Sequence, residues 1–187
     1  MRHTNGVTSG ATLRSVLITA FAPADTGNGS AMRAQRWRTA LERLGPTNVL
    51  MVPVAGMAVP PEIEAIALPS VEELGAGAIE LASDPRWRRI LAETDPLPAA
   101  NRIAPPWLGR RAAHRLPWRP DVVVAFKAGV APVALDMAWA VGAGFVLDLD
   151  DDEAEVLRAL GHEHQAAAAD RLRSALAPLA GAVCAAA

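Results

Sequence analysis

Four short, nearly continuous apolar runs rich in β-branched residues, at 16–21, 49–54, 122–126 and 145–149, recur along the chain with helix-length segments between them. A strand that is apolar on both faces must be covered on both, and parallel strands need crossover connections long enough to hold a helix. The pattern therefore predicts an α/β fold, a Rossmann-like and mostly parallel sheet flanked by helices. A chain of 187 residues can bury one such core. Residues 1–13, polar and rich in Gly, Thr and Ser, read as a disordered tail, and 14–187 as one domain.

The first run leads into a loop in which Pro23, Gly27 and Gly29 forbid regular structure, and Ser30 is the expected N-cap of the helix that follows. In that helix Ala34, Trp37, Leu41 and Leu44 recur at three- and four-residue spacing until Gly45 and Pro46 stop it, and the strand at 49–54 completes a βαβ unit. The middle, 55–120, is rich in Pro and Ala and carries Trp87, Trp107 and Trp118 without a clear period. A third strand is expected at 64–68, and Asp84-Pro85 marks a cap and first helical residue for a helix running through Leu91. Regularity returns with the strand at 122–126, a mostly apolar helix at 131–141, the strand at 145–149, two helices divided near Gly161, and a last strand at 182–187. Because the sequence stops inside that strand, where folds of this kind build their sites, the expectation is that a further half follows.

A formal charge of −2 and a pI near 6.1 give no global attraction to nucleic acid, so no nucleic-acid partner is expected. The single cysteine, Cys184, has no second thiol to pair with and reads as a small core residue of a reducing compartment. The N-terminal residues lack the apolar stretch of a signal peptide, and no apolar run approaches the roughly 20 residues that span a bilayer. A cytoplasmic protein is expected. The segment 107–119 mixes Trp107, Leu108 and Trp118 with Arg110, Arg111, Arg115 and Arg119, a composition that fits two situations. It can lie peripherally on the inner face of a membrane or against a lipid-linked acceptor, or it can be a local helix packed by its tryptophans with snorkelling arginines.

Chemistry is concentrated in two places. The loop holding Gly27, Asn28, Gly29 and Ser30 joins the end of a strand to a helix N-terminus, where N–H groups and the helix dipole favour an anion; Arg33 adds a positive charge one turn on. The same residues also suit a tight, capped βα turn with no ligand. A dinucleotide fingerprint is disfavoured, because Gly27 comes six positions after Phe21 and Met32 stands where the third glycine belongs. A P-loop is excluded for want of a lysine near this loop. The second place is the acidic run Asp148, Asp150, Asp151, Asp152 and Glu153, whose mutual repulsion needs relief from N–H groups, an arginine, a cation or a ligand's hydroxyls. Asp152 and Glu153 fit an acidic helix start, whereas Asp148 and Asp150 lie closer to the strand. A metal-dependent site on Asp148 and Asp150 is a further option, but the histidines, His3, His114, His162 and His164, show no ligand spacing, and no metal site is assigned.

The order and spacing of these features, the run at 16–21, the Pro23 to Gly29 loop, the helix with Arg33 and Arg36, the phrase Pro120-Asp121-Val122-Val123-Val124, and Val146-Leu147-Asp148-Leu149-Asp150-Asp151, resemble the N-terminal half of GT-B glycosyltransferases. More narrowly they resemble the retaining enzymes of glycosyltransferase family 4. The resemblance implies an acceptor-binding domain that faces a C-terminal donor-binding domain across a cleft, with a nucleotide sugar as donor and a sugar or lipid-linked molecule as acceptor. It implies donor-diphosphate or acceptor contact at Gly27, Asn28, Gly29, Ser30 and Arg33, and acceptor hydroxyls at Asp148, Asp150 and Asp151. No separate cofactor is implied. The family's donor half is absent from the sequence, and so is a match to the cleft histidine many members carry, so transfer would need a donor domain supplied in trans. The alternative is a non-catalytic binding module that kept the fold.

Overall fold

The computed structural model describes residues 12–53, 58–94, 104–149 and 152–185. Six parallel strands form one sheet: β1 (Ser15–Thr19), β2 (Thr47–Met51), β3 (Glu64–Ala65), β4 (Val122–Phe126), β5 (Gly144–Asp148) and β6 (Ala182–Cys184), in the spatial order β3-β2-β1-β4-β5-β6. This is the Rossmann-like α/β architecture that the apolar runs predict. The helices are α1 (Gly29–Leu44), α2 (Val71–Ser83), α3 (Pro85–Thr94), α4 (Leu108–Ala113), α5 (Ala131–Val141), α6 (Glu153–Ala159) and α7 (Glu163–Leu176).

Alternation along the strands divides the core. Val16 and Ile18 of β1, Leu50 of β2, Val123 and Ala125 of β4 and Leu147 of β5 face one side, with Trp87, Leu108, Leu135, Met137 and Leu172 from the helices α3, α4, α5 and α7. Leu17, Val49, Met51, Val124 and Phe126 face the other, where Ala34 and Leu41 of α1 cover them. Helix α5 lies deepest, buried from Ala131 through Ala138, which explains why its sequence shows little amphipathic contrast.

Several boundaries differ from expectation, each for a local reason. Strand β1 stops at Thr19 because the Thr19 hydroxyl and the Phe21 backbone exchange hydrogen bonds of 2.9 Å in both directions, turning the chain. The cap of α1 is Asn28, not Ser30: Asn28 Oδ1 accepts from the Ala31 N–H at 2.8 Å, and the helix begins at Gly29. The third strand is confined to Glu64 and Ala65 at the sheet edge. Helix α2 has no counterpart in the sequence reading, yet it carries a capping box in which the Glu73 N–H donates to Ser70 Oγ and the Ser70 N–H donates to Glu73 Oε2. Asp84 does act as the start of α3, its Oδ1 accepting from the Arg86 N–H at 2.9 Å.

Cys184 is half-buried on the edge strand β6 rather than in the core, because nothing pairs with the outer side of β6 among the described residues. The last strand is assigned over three residues, and 186–187 lie outside the described residues. Most of the tail expected over 1–13 also lies outside them, but Leu13 is already anchored by its N–H to Leu44 O. Trp107 and Leu108 sit in the core and Trp118 packs half-buried against it. The tryptophans of 107–119 therefore look inward, leaving His114, Arg115, Pro117 and Arg119 exposed. No helix among the described residues is long and apolar enough to cross a membrane.

Candidate functional site

Because all strands are parallel, every carboxyl end lies on one edge. The connection after β1 leads to α1 on one face of the sheet and the connection after β4 leads to α5 on the other. Neighbouring strands whose connections leave in opposite directions open a crevice between them, and in this class of sheet that crevice is where ligands bind. That rule places it here beyond Thr19 and Phe126, the last residues of the paired strands β1 and β4.

One wall is the loop from β1 to α1. Gly27 has φ +116°, a conformation that residues with a side chain rarely adopt, so the backbone turn depends on glycine. Side chains added at Gly27 or Gly29 would meet nothing within 4 Å, so the loop is open to an approaching molecule. Gly27, Asn28 and Gly29 are exposed and Ser30 is half-buried. The Asn28 side chain is spent on the helix cap, which leaves its backbone for any ligand.

Arg33 and Asp148 meet although 115 positions separate them. Asp148 is fully buried at the end of β5, and its carboxylate accepts from Arg33 Nε at 3.0 Å and from Arg33 Nη2 at 2.7 Å. Trp37 Nε1 also donates to it. The fork of donors matches the planar carboxylate, a geometry that fixes α1 against β5 while neutralising the buried charge. Arg33 keeps 26% of its side chain exposed while anchored in this way. Asp150 and Asp151 lie outside the described residues.

The rest of the acidic run disperses. Asp152 caps α6 by accepting from the Glu155 N–H and pairs with Arg173 at 2.9 Å; that pairing holds its carboxyl below the ordinary range. Glu153 keeps solvent contact, yet the protein around its carboxyl raises its pKa, and the Lys127 charge opposes the rise. Among the described residues, no three His, Cys, Asp or Glu side chains converge to hold a metal.

Lys127 is the residue the sequence reading missed. It follows β4 directly, at the mouth of the crevice, and is the only non-glycine residue with positive φ among those described, at φ 78° and ψ 149°. That region is close to glycine-only, and holding another residue there costs about 1–3 kcal/mol. Its N–H donates to Asp148 O at 2.7 Å, and its ammonium lies 5.0 Å from the centre of the Phe21 ring, at the start of the loop after β1. A signal was present: Lys127 is the only lysine in a chain whose 18 basic residues are otherwise all arginine. No protein-family model and no curated protein matches the chain.

Proposed function

We propose that the chain is the acceptor-side, Rossmann-like half of a nucleotide-sugar-dependent glycosyltransferase, working with a donor-binding domain across the carboxyl edge of its sheet. The observation that carries the reading is the convergence at one crevice of the open Gly27 loop, Arg33 and the end of β5, features far apart in sequence. In the reaction, charge builds on the leaving nucleotide diphosphate, and fixed donors aimed at it lower the barrier. Backbone N–H groups around Gly27, Gly29 and Ser30, with Arg33 behind them, are of the right kind and on the right edge. The sugar or lipid-linked acceptor would lie along the ends of β4 and β5, with the nucleotide sugar held mainly by the second domain.

The test is a sugar-release assay with the chain alone, with a donor-binding half supplied, and with Gly27→Val in the same pair. Release only with both halves, lost in Gly27→Val, is expected, since valine is strained at φ +116°. Equal release by the Gly27→Val pair would remove the loop from the mechanism, and no release with any donor half would sink the transferase reading.

One observation favours a second reading, a binding module without catalysis. Both oxygens of Asp148 are engaged by Arg33, with Trp37 added, so the carboxylate best placed for an acceptor hydroxyl serves as an internal clamp. A chain that binds a nucleotide sugar or glycolipid yet supports no transfer would fit this reading.

A further inference from the structure

We propose that Lys127 is the residue that grips the phosphate or diphosphate group of the ligand in the crevice between β1 and β4. The inference rests on the reading of that crevice as the site of an anionic ligand and adds to it a residue and a ligand chemistry.

Three independent observations converge on Lys127. Its position is the end of a central strand at the point where the connections of β1 and β4 diverge, the place in such a sheet where a bound group is nearest to both halves. Its backbone is held at φ 78° and ψ 149°, where glycine would sit without steric cost; strain of this sort persists where the surrounding structure imposes it, and clusters at ligand clamps. Its chemistry is singular in a chain that uses arginine at all its other basic positions. Arginine suits fixed, bidentate pairs such as Arg33 with Asp148, whereas lysine presents a compact charge on a flexible stem that can follow a phosphate.

The surroundings point the same way. The Phe21 ring, 5.0 Å from the ammonium, keeps the stem over the β1 loop. The 3-10 turn Ala128–Val130 directly after Lys127 brings Gly129 to the edge, and an added side chain there would meet only the Glu153 carboxylate, at 3.9 Å. The Glu153 carboxyl feels the Lys127 charge, and a more highly charged phosphate in the crevice would attract the lysine more strongly. Arg33, anchored by Asp148, supplies the second positive charge from the α1 side.

The experiment measures binding of inorganic pyrophosphate and of uridine diphosphate to the whole chain, to Lys127→Gly and to Lys127→Met, together with thermal unfolding without ligand. Lys127→Gly is expected to unfold at a higher temperature than the parent while binding both probes about 10- to 100-fold more weakly, the loss of one charge-assisted hydrogen bond. Lys127→Met is expected to lose the same affinity with no gain in thermal midpoint. Equal affinity for both probes identifies the diphosphate as the recognised group, and tighter binding of the nucleotide adds a contact to its nucleoside. If the parent binds pyrophosphate and Lys127→Gly binds it equally well, the lysine assignment is overturned while the crevice reading stands. A Lys127→Gly protein no more stable than the parent also overturns it. If the parent binds neither probe, the anionic-site reading itself fails.

Discussion

At the scale of single residues, the pairing of Arg33 with Asp148 decides how the edge is built. A carboxylate buried at the end of β5 is costly unless its charge is met, and Arg33 and Trp37 meet it from α1. Removing the arginine takes away the paired positive charge, with Trp37 still donating to the carboxylate. Arg33→Met is therefore expected to cost about 3 kcal/mol in urea unfolding, and Arg33→Met with Asp148→Leu to recover most of it. A loss under about 1 kcal/mol for the single variant would mark the pair as no better than a surface ion pair. The partners were visible in the sequence separately, as a basic residue after a glycine loop and an acid after a strand. That they satisfy each other was not, because nothing local links positions 33 and 148. Lys127 was legible only as a rarity, since a backbone angle leaves no trace in composition.

At the scale of elements, close approach rather than helix propensity sets the layer that includes α4 and α5. Gly109 of α4 is pressed against α5: a side chain there would lie 2.0 Å from Val133 O and 2.6 Å from Met137 N, both backbone atoms that cannot swing aside. Gly109→Ala should therefore destabilise by about 1–3 kcal/mol, even though alanine is the better helix former. A gain in thermal midpoint would show that the two helices can separate without penalty. Helix α4 is the local helix that the tryptophans and arginines of 107–119 allowed, six residues long and buried through Leu108, Gly109 and Ala112. Helix α2 was legible in principle from Ser70 and Glu73, the two halves of its capping box, within a Pro- and Ala-rich stretch that masked them.

At the scale of the molecule, the helices on one face of the sheet are knit together by charge as well as by apolar contact. Asp136 of α5, buried to 1% exposure, accepts from Trp87 of α3 and from Arg110 of α4, and Arg110 reaches Glu80 of α2 at 2.8 Å and Asp84 at 3.5 Å. Hydrogen bonds from Arg86, helped by the nearby charge of Arg110, hold the Asp84 carboxyl at about 2, against an ordinary value of 3.8. A carboxyl depressed in the folded state lends stability that is complete above its unfolded pKa and disappears as pH falls through the folded value. The Asp84 contribution is thus full above about pH 4 and lost toward about pH 2; solvent screening keeps it to about 1 kcal/mol. Asp84→Asn should flatten the acid limb of the unfolding profile in that window and lower stability near neutrality. An unchanged acid limb would mean that Asp84 is not held by its arginines.

What the sequence determined by itself was the class of the fold. Runs that are apolar on both faces cannot rest at a surface, and the helix-length spacing between them leaves parallel pairing as the economical arrangement. Strand β4 and helix α5 stand where their residues placed them, since both are mostly interior and end at Gly or a change in polarity. The tertiary structure decided the rest. It set the order of the strands, and with it the edge between β1 and β4; it made Asp148, an acid at a strand end, the anchor of Arg33; and it fixed Lys127 at a positive φ on that edge. These depend on which distant residues share an edge, and hydrophobic periodicity records only which face of its own element a residue occupies.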